Sequence, residues 1–237
     1  MESFSKYSIS VVIPVYNEEE IIEQCIINTF NSLSNLFLDY ELIIVNDGSL
    51  DQTPQILSNL SELYSQLHII TNAKNLGIGK SLLKGLKFAK KEYIIHNGAD
   101  CPFNFNGLCK LLPYLTSHDI IVVARNNHTG YTFYRKVVSF INKSLLRILF
   151  PLKLNDYNFV QIYKKEVIDN ITPNARSAGF LIPEILIRAY TSNYKIVEIK
   201  SDYQARTTGK ASAGKLSILL YSFSDMIKYF TQLKLKV

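Results

Sequence analysis

Residues 40 to 57 read YELIIVNDGSLDQTPQIL, a short apolar run that ends on Asn46, Asp47 and Gly48 before a helical pattern starts at about Asp51. The run suits a buried strand bounded by a turn glycine. Asp51 suits a helix cap, because its short carboxylate can accept a first-turn N–H. Asp47 has no such explanation: it precedes Gly48 rather than a helical turn, which marks it as an acid placed at the end of a strand for another purpose.

The same unit recurs on both sides of that stretch. ISVVIPV (9–15) runs into a helix from about Glu18, LHIITN (67–72) runs into GKSLLKGLKFAKK (79–91), and EYIIH (92–96) follows. Strands alternating with helices of this length predict crossover connections and a mostly parallel sheet, with ligands at the carboxyl ends of the strands. Polar residues gather at those ends: Asn17 and Glu18 after the first strand, Asn46 and Asp47 after the second, Asn72 to Asn75 after the third, Asp100 after the fourth. They are expected to share one crevice.

The second half changes character. DIIVVAR (119–125) is a further strand, and residues 131–152 form a long helical pattern that is apolar nearly all round except for Arg135, Lys136, Lys143 and Arg147. A core helix and a helix lying on a membrane surface are both compatible with that pattern. FVQIYKKEVI (159–168), FLIPEILIRAY (180–190) and YKIVEIK (194–200) follow as strand, helix and strand, and residues 212–234 close as an amphipathic helix.

With 237 residues, 47% hydrophobic and 19% charged, the chain suits one α/β domain with a sizeable core and no disordered tract. Twenty-six Lys and Arg against 20 Asp and Glu give a net charge of +6, which favours anionic partners without choosing among phosphates, nucleotides, nucleic acid and acidic membranes. Lys84, Lys87, Lys90 and Lys91 are expected on a solvated face. Cys25, Cys101 and Cys109 form neither a metal-ligand spacing nor an even-numbered framework, so free thiols in a reducing compartment are expected. Nothing like a signal peptide precedes the first strand, and no run reaches the ~20 apolar residues of a membrane span. His96, at a strand end, suits a satisfied core residue.

ISVVIPVYNEEEIIEQCI, YELIIVNDGSLDQTPQIL and NAKNLGIGKSLLKGLKFA together resemble the donor half of the family-two inverting glycosyltransferases. VVAR, YRKVVSFINKSLLRILFPLKLND, FLIPEILIRAY and YKIVEIKSDYQARTTGKAS are similar to the branch holding dolichol-phosphate mannose synthases and bacterial polyprenyl-phosphate sugar transferases. The resemblance implies an α/β nucleotide-diphospho-sugar transferase fold of the GT-A type, with a mostly parallel central sheet flanked by helices. It implies a single domain over 1–237, with a donor half at about 8–125 and an acceptor half at about 126–237.

The function implied is transfer of a sugar from a nucleotide diphosphate sugar to a polyprenyl phosphate, by a cytoplasmic protein with a possible peripheral membrane contact and no nucleic acid partner. Donor-binding positions carried over are Pro14, Tyr16, Glu18, Asp47, Gly98, Ala99, Asp100 and Lys210. Catalytic positions are Asp100, Arg125, Arg135 and Arg206, the arginines because guanidinium geometry suits bidentate phosphate contacts. Asp156 matches an acid that follows the long helix in the family.

The family's Asp-x-Asp metal motif is here Gly98-Ala99-Asp100, so Asp100 alone is expected to touch Mg²⁺ or Mn²⁺, with diphosphate oxygens and water completing the shell. The acceptor follows from an absence. A sugar-hydroxyl acceptor needs a general base, usually a Glu-Asp pair in the second half; AGFLIPEILIRA offers only Glu184. A phosphate oxyanion needs no base. Transfer to a saccharide hydroxyl, and a non-catalytic nucleotide-sugar-binding subunit, remain the alternatives.

Overall fold

The computed structural model describes residues 6–126, 132–175, 177–201 and 216–235. In chain order the elements are β1 (Ser8–Val15), α1 (Ile22–Leu36), β2 (Asp39–Asn46), α2 (Thr53–Leu63), β3 (Leu67–Thr71), α3 (Ile78–Phe88), β4 (Tyr93–His96), α4 (Leu108–Leu111), β5 (Ile120–Arg125), α5 (Phe133–Leu149), β6 (Val160–Lys164), α6 (Lys165–Asn170), α7 (Ala178–Thr191), β7 (Ile196–Ser201) and α8 (Leu216–Lys234). The strands form one sheet in the order β3-β2-β1-β4-β6-β5-β7.

Four of the neighbouring pairs are parallel, and β6 runs against both β4 and β5. Two reversals leave β5 running the same way as β4. The carboxyl ends of β1 to β5 therefore lie along one edge, and the loop entering β6 arrives at that same edge.

Period-two alternation divides the core. Ile9, Val11 and Ile13 of β1 face α1, α2 and α4, whereas Val12 faces α3 and the cluster of α6, α7 and α8. Side chains such as Ile13, Ile43 and Ile44 are fully buried, each stabilising the fold by about 1.5–3 kcal/mol relative to exposure. Pro14 sits in this central strand because β4 stops short. The last β1–β4 pair is Val12 with His96, so the missing N–H of Pro14 interrupts no ladder bond.

Several boundaries differ from the sequence expectation. Helix α1 starts at Ile22 rather than Glu18, after a turn in which Ile21 and Ile22 donate to the Glu18 carbonyl. The stretch 159–168 is not one strand: β6 ends at Lys164 and α6 begins at Lys165. Nor are the α3 lysines simply solvated. Lys84 Nζ donates to Asn72 Oδ1 at 2.8 Å, and Lys87 Nζ reaches the carbonyls of Ile168 and Ile171 at the end of α6, where a cation complements the helix dipole.

Helix α5, for which the sequence leaves a core and a surface placement open, lies at the surface. Only Leu146 is fully buried along it, so it is not a core helix. Arg135, Ser139, Asn142 and Leu146 follow a helical spacing along the inner, half-buried to buried side, whereas Phe133, Tyr134, Val137, Phe140, Ile141 and Ile148 are exposed. No helix among the described residues is long and apolar enough to cross a membrane.

Candidate active site

At the β1–β3 side of the edge is a set of loops that hold one another. Asp47 is buried, and its carboxylate accepts from Leu76 N and Gly77 N, both at 2.8 Å, and from Asn72 Nδ2 at 2.9 Å. The acid before the glycine thus fixes the loop between β3 and α3. Gly48 lets that loop close: its φ is +71°, and a Cβ there would lie 2.7 Å from the Lys74 carbonyl carbon. Asn17, at φ 53°, is not a helix cap; its N–H donates to Ser49 Oγ and its Oδ1 accepts from Leu50 N. Asp51 does serve α2, accepting from Thr53 N, and also accepts from Glu19 N.

Of the donor positions read from sequence, Tyr16 is exposed, Glu18 half-buried with its N–H on Thr53 Oγ1, and Pro14 and Ala99 buried. Tyr16 and Glu18 leave β1 beside the Asp47 loop. Pro14 shapes the strand end from inside. Lys210 and Arg206 lie outside the described residues.

Asp100 is half-buried in the loop after β4. A Cβ built on Gly98 would lie 2.5 Å from Asp100 Oδ1, so the carboxylate occupies the space where a side chain at 98 would begin. Asn97 does not point outward beside it: Oδ1 accepts from Gly98 N and Phe103 N, and Nδ2 donates to the Phe103 carbonyl. Beyond Asp100 the loop is tied to α1, where Cys101 Sγ lies 3.0 Å from the Sγ of buried Cys25. Among the described residues no three His, Cys, Asp or Glu gather as a metal site. A lone carboxylate fits a divalent cation carried mainly by diphosphate oxygens and water, and not a preloaded ion.

On the other side of the edge, Arg125 ends β5 and is held by the loop before β6. Its Nε and Nη2 donate to Asp156 Oδ2 and Oδ1 at 2.6 and 2.8 Å. Both side chains are about nine-tenths buried, at 10% and 9% exposure, so this is a bidentate pair largely shielded from water. Phe159 lies under the guanidinium, 5.2 Å from ring centre to Cζ. Arg125 and Asp156 form the floor of a small polar pocket whose walls are Ser139, Asn142 and Lys143 of α5 and Asn155, Tyr157 and Asn158. Arg135 lies one helical turn from Ser139 on the same side of α5. Sequence reading missed the pocket's α5 wall, whose only available signal was that the polar positions 135, 139, 142 and 143 fall on one side of the helix.

Glu184 is not placed for base catalysis. Buried to 1% exposure, it accepts from Asn174 N and Ala175 N and pairs with Arg188, whose guanidinium lies over Tyr229. His96 is likewise structural. Its Nε2 lies 2.6 Å from Gln161 Oε1, and burial brings its pKa down to about 4 against the opposing effect of that hydrogen bond.

The glycosyl transferase family 2 signature matches residues 10–172, from β1 through α6. The chain belongs to this family. An undecaprenyl-phosphate 4-deoxy-4-formamido-L-arabinose transferase of Proteus mirabilis is 28% identical over 100% of this chain and 72% of its own length. A dolichol-phosphate mannosyltransferase of Pyrococcus furiosus is 29% identical over 90% of this chain and 61% of its own length; these relatives are therefore longer than the chain. A glucosyl-3-phosphoglycerate synthase of Mycobacterium tuberculosis, crystallised with Mn²⁺, UDP and phosphoglyceric acid, superposes with a TM-score of 0.72 over 94% of this chain and 78% of its own, at 18% identity. That likeness concerns the fold, which is of the GT-A type expected from sequence. The family-two glycosyltransferase thus carries the loops braced by Asp47 and its Arg125 pocket on one sheet edge.

Proposed function

We propose that this family-two glycosyltransferase moves a sugar from a nucleotide diphosphate sugar to a polyprenyl phosphate at a membrane surface. One observation carries the reading: the pocket of Arg125 and Lys143 is walled by a helix that exposes Phe133, Phe140 and Ile141, together with the cations Lys136 and Arg147. A phosphate headed by cations and a prenyl chain lying along an apolar face match that pairing. The two relatives named for polyprenyl-phosphate transfer support it.

In this reading the phosphate oxygen of the acceptor attacks the anomeric carbon. The bond from that carbon to the donor diphosphate breaks, and the configuration inverts. Arg125 and Arg135 orient the acceptor phosphate; Arg206 and Lys210 are proposed to meet the donor phosphates. Tyr16, Glu18 and the loop braced by Asp47 receive the nucleotide, with Pro14, Gly98 and Ala99 shaping the floor. A magnesium or manganese ion at Asp100 would neutralise charge building on the leaving diphosphate. The engagement of Glu184 in the 174–175 loop disfavours a hydroxyl acceptor.

The test is transfer from a panel of nucleotide sugars with and without polyprenyl phosphate in Mg²⁺ or Mn²⁺. Product only with the lipid phosphate supports the reading. Product on a saccharide acceptor, or nucleotide binding without turnover under every condition, overturns it.

A further inference from the structure

We infer that Glu198, on the outermost strand β7 and outside the pocket lining, is a positioning residue that sets Arg125 through the turn at Asn155 and Asp156. Strand β7 pairs parallel with β5, and Glu198 is in register with Val122, three residues before Arg125. Its carboxylate reaches the loop before β6 with both oxygens. Oε1 accepts from Asn155 N at 2.7 Å and Asp156 N at 2.9 Å, and Oε2 accepts from Asn155 Nδ2 at 2.7 Å.

Two consecutive backbone N–H groups directed at one carboxylate oxygen fix the orientation of the turn. The turn in turn fixes Asp156, which also accepts from Asn158 N at 3.2 Å and grips Arg125 by Nε and Nη2. A guanidinium gripped on two nitrogens has its plane and direction set from behind. Phosphate recognition by arginine depends on that plane, because the donors form a rigid fork. An acid on a neighbouring strand, 42 residues from Asp156 along the chain, is in this way part of the acceptor site without touching it.

A bystander that merely pins a loop would lower stability and leave ligand preference alone. A positioning residue acts on one substrate and acts through Arg125. Because the inference rests on Arg125 as the acceptor-phosphate residue, the experiment measures that premise alongside it. Farnesyl phosphate and a panel of nucleoside diphosphates are titrated into the full chain carrying Glu198→Ala, Glu198→Gln, Glu198→Asp, Arg125→Gln and the Glu198→Ala/Arg125→Gln pair.

Glu198→Ala is expected to weaken farnesyl phosphate about tenfold, an effect typical of residues coupled through one hydrogen-bond network, with nucleotide affinity unchanged. Glu198→Gln keeps an oxygen for the two backbone donors and should stay within about twofold of wild type; in the Arg125→Gln background the Glu198→Ala effect should vanish. Should the alanine variant not fold, Glu198→Asp, with its carboxylate drawn back by one methylene, replaces it in the cycle with the same expectation of coupling. Additive losses, equal losses for both ligands, or no loss from either Glu198→Ala or Glu198→Asp overturn the inference while leaving the acceptor site standing. Wild-type binding of nucleotide without farnesyl phosphate, or an Arg125→Gln variant that binds farnesyl phosphate as wild type does, removes the acceptor reading itself and the inference with it.

Discussion

The two ends of the sheet edge that carries the candidate site are built on opposite plans. Over β1 to β4 the loops are short and bonded chiefly to one another, with Asp47 holding residues 72, 76 and 77 and Asn17 holding residues 49 and 50. Beyond β4 the polar residues come from far apart in the chain: Arg125 from β5, Asp156 from the loop before β6, Ser139, Asn142 and Lys143 from a surface helix. The first plan suits a rigid ligand of constant shape, such as a nucleotide. The second suits a charged head with a long apolar tail, because Arg125 and Lys143 line a polar pocket against a helix that exposes Phe133, Phe140 and Ile141. Variants that affect only one end test this division.

Asp100 should have the largest effect. If it is the protein's one ligand to the diphosphate-bound cation, Asp100→Asn should lower turnover by about 10²–10³-fold, the usual cost of losing a charge-stabilising contact in the transition state, while metal-free nucleotide binding persists. Turnover against Mg²⁺ and Mn²⁺ concentration, with a chelator control, reads this directly; wild-type rates in chelator would remove the cation from the reaction. Gly98→Ala sharpens the point. A methyl at 98 meets Asp100 Oδ1 at 2.5 Å, so this smallest of additions should displace the carboxylate and raise the cation concentration needed for half-maximal rate.

Arg125 and Arg135 come next, and their effect should be confined to the acceptor. Arg135→Ala removes one charge-assisted contact of ~1.5–3 kcal/mol, so the KM for polyprenyl phosphate should rise roughly tenfold to a hundredfold while the donor KM holds. Arg125→Gln should do the same and also destabilise the fold, since it strands the shielded Asp156 carboxylate. A rise in donor KM instead would place these arginines on the nucleotide side and dissolve the contrast.

The contrast also explains what the sequence could and could not disclose. Strands β1 to β5, the turn at Asp47 and Gly48, and the lone acid at 100 are local signals: each strand and its end-loop residues are neighbours in sequence, so period and turn chemistry reveal them together. The role of Asp47 in bracing the β3–α3 loop was hidden because its partners lie 25 to 30 residues away. Helix α5 was ambiguous for a physical reason: apolar residues at helical spacing look alike whether they face a core or the surface, and only the burial pattern, with Leu146 alone fully buried, excludes the core. The structural role of Glu184 was hidden in the same way as that of Asp47: the sequence showed only an acid without a neighbouring acid, and its backbone partners at 174 and 175 lie about ten residues away.

Loss of the apolar outer side of α5 should have a smaller effect. Phe140 is 66% exposed and Ile141 51%, and neither lines the pocket. Replacing either by Ser should weaken binding to liposomes by several-fold, since only part of the ~1.5–3 kcal/mol of a fully buried side chain is at stake, and should leave farnesyl phosphate affinity in solution untouched. Cosedimentation with vesicles gives the first quantity and titration the second. Unchanged vesicle binding would mean that this face meets something other than lipid.

The smallest effect on transfer is expected at the seam between the two ends, where β4 meets the reversed strand β6. His96 and Gln161 are both buried there and joined at 2.6 Å, on strands that the β4–β6 ladder pairs antiparallel. Burial lowers the His96 pKa to about 4, so the folded protein holds this imidazole neutral while the unfolded chain binds a proton below its ordinary value of about 6.5. The unfolded state therefore takes up more protons between these two values, and stability falls as pH drops through the window, by about 2 kcal/mol at pH 5 relative to neutral pH. The loss levels off below about pH 4, where both states are protonated. Urea unfolding at pH 7.5 and pH 5 measures the difference, and a His96→Gln variant, which offers an amide to Gln161 but no titration, should show a pH dependence shallower by that amount with its transfer activity at neutral pH little changed. Identical pH dependence in the two proteins would mean that His96 stays accessible to protons in the folded state, and that the seam between the donor and acceptor ends is looser than the 2.6 Å contact implies.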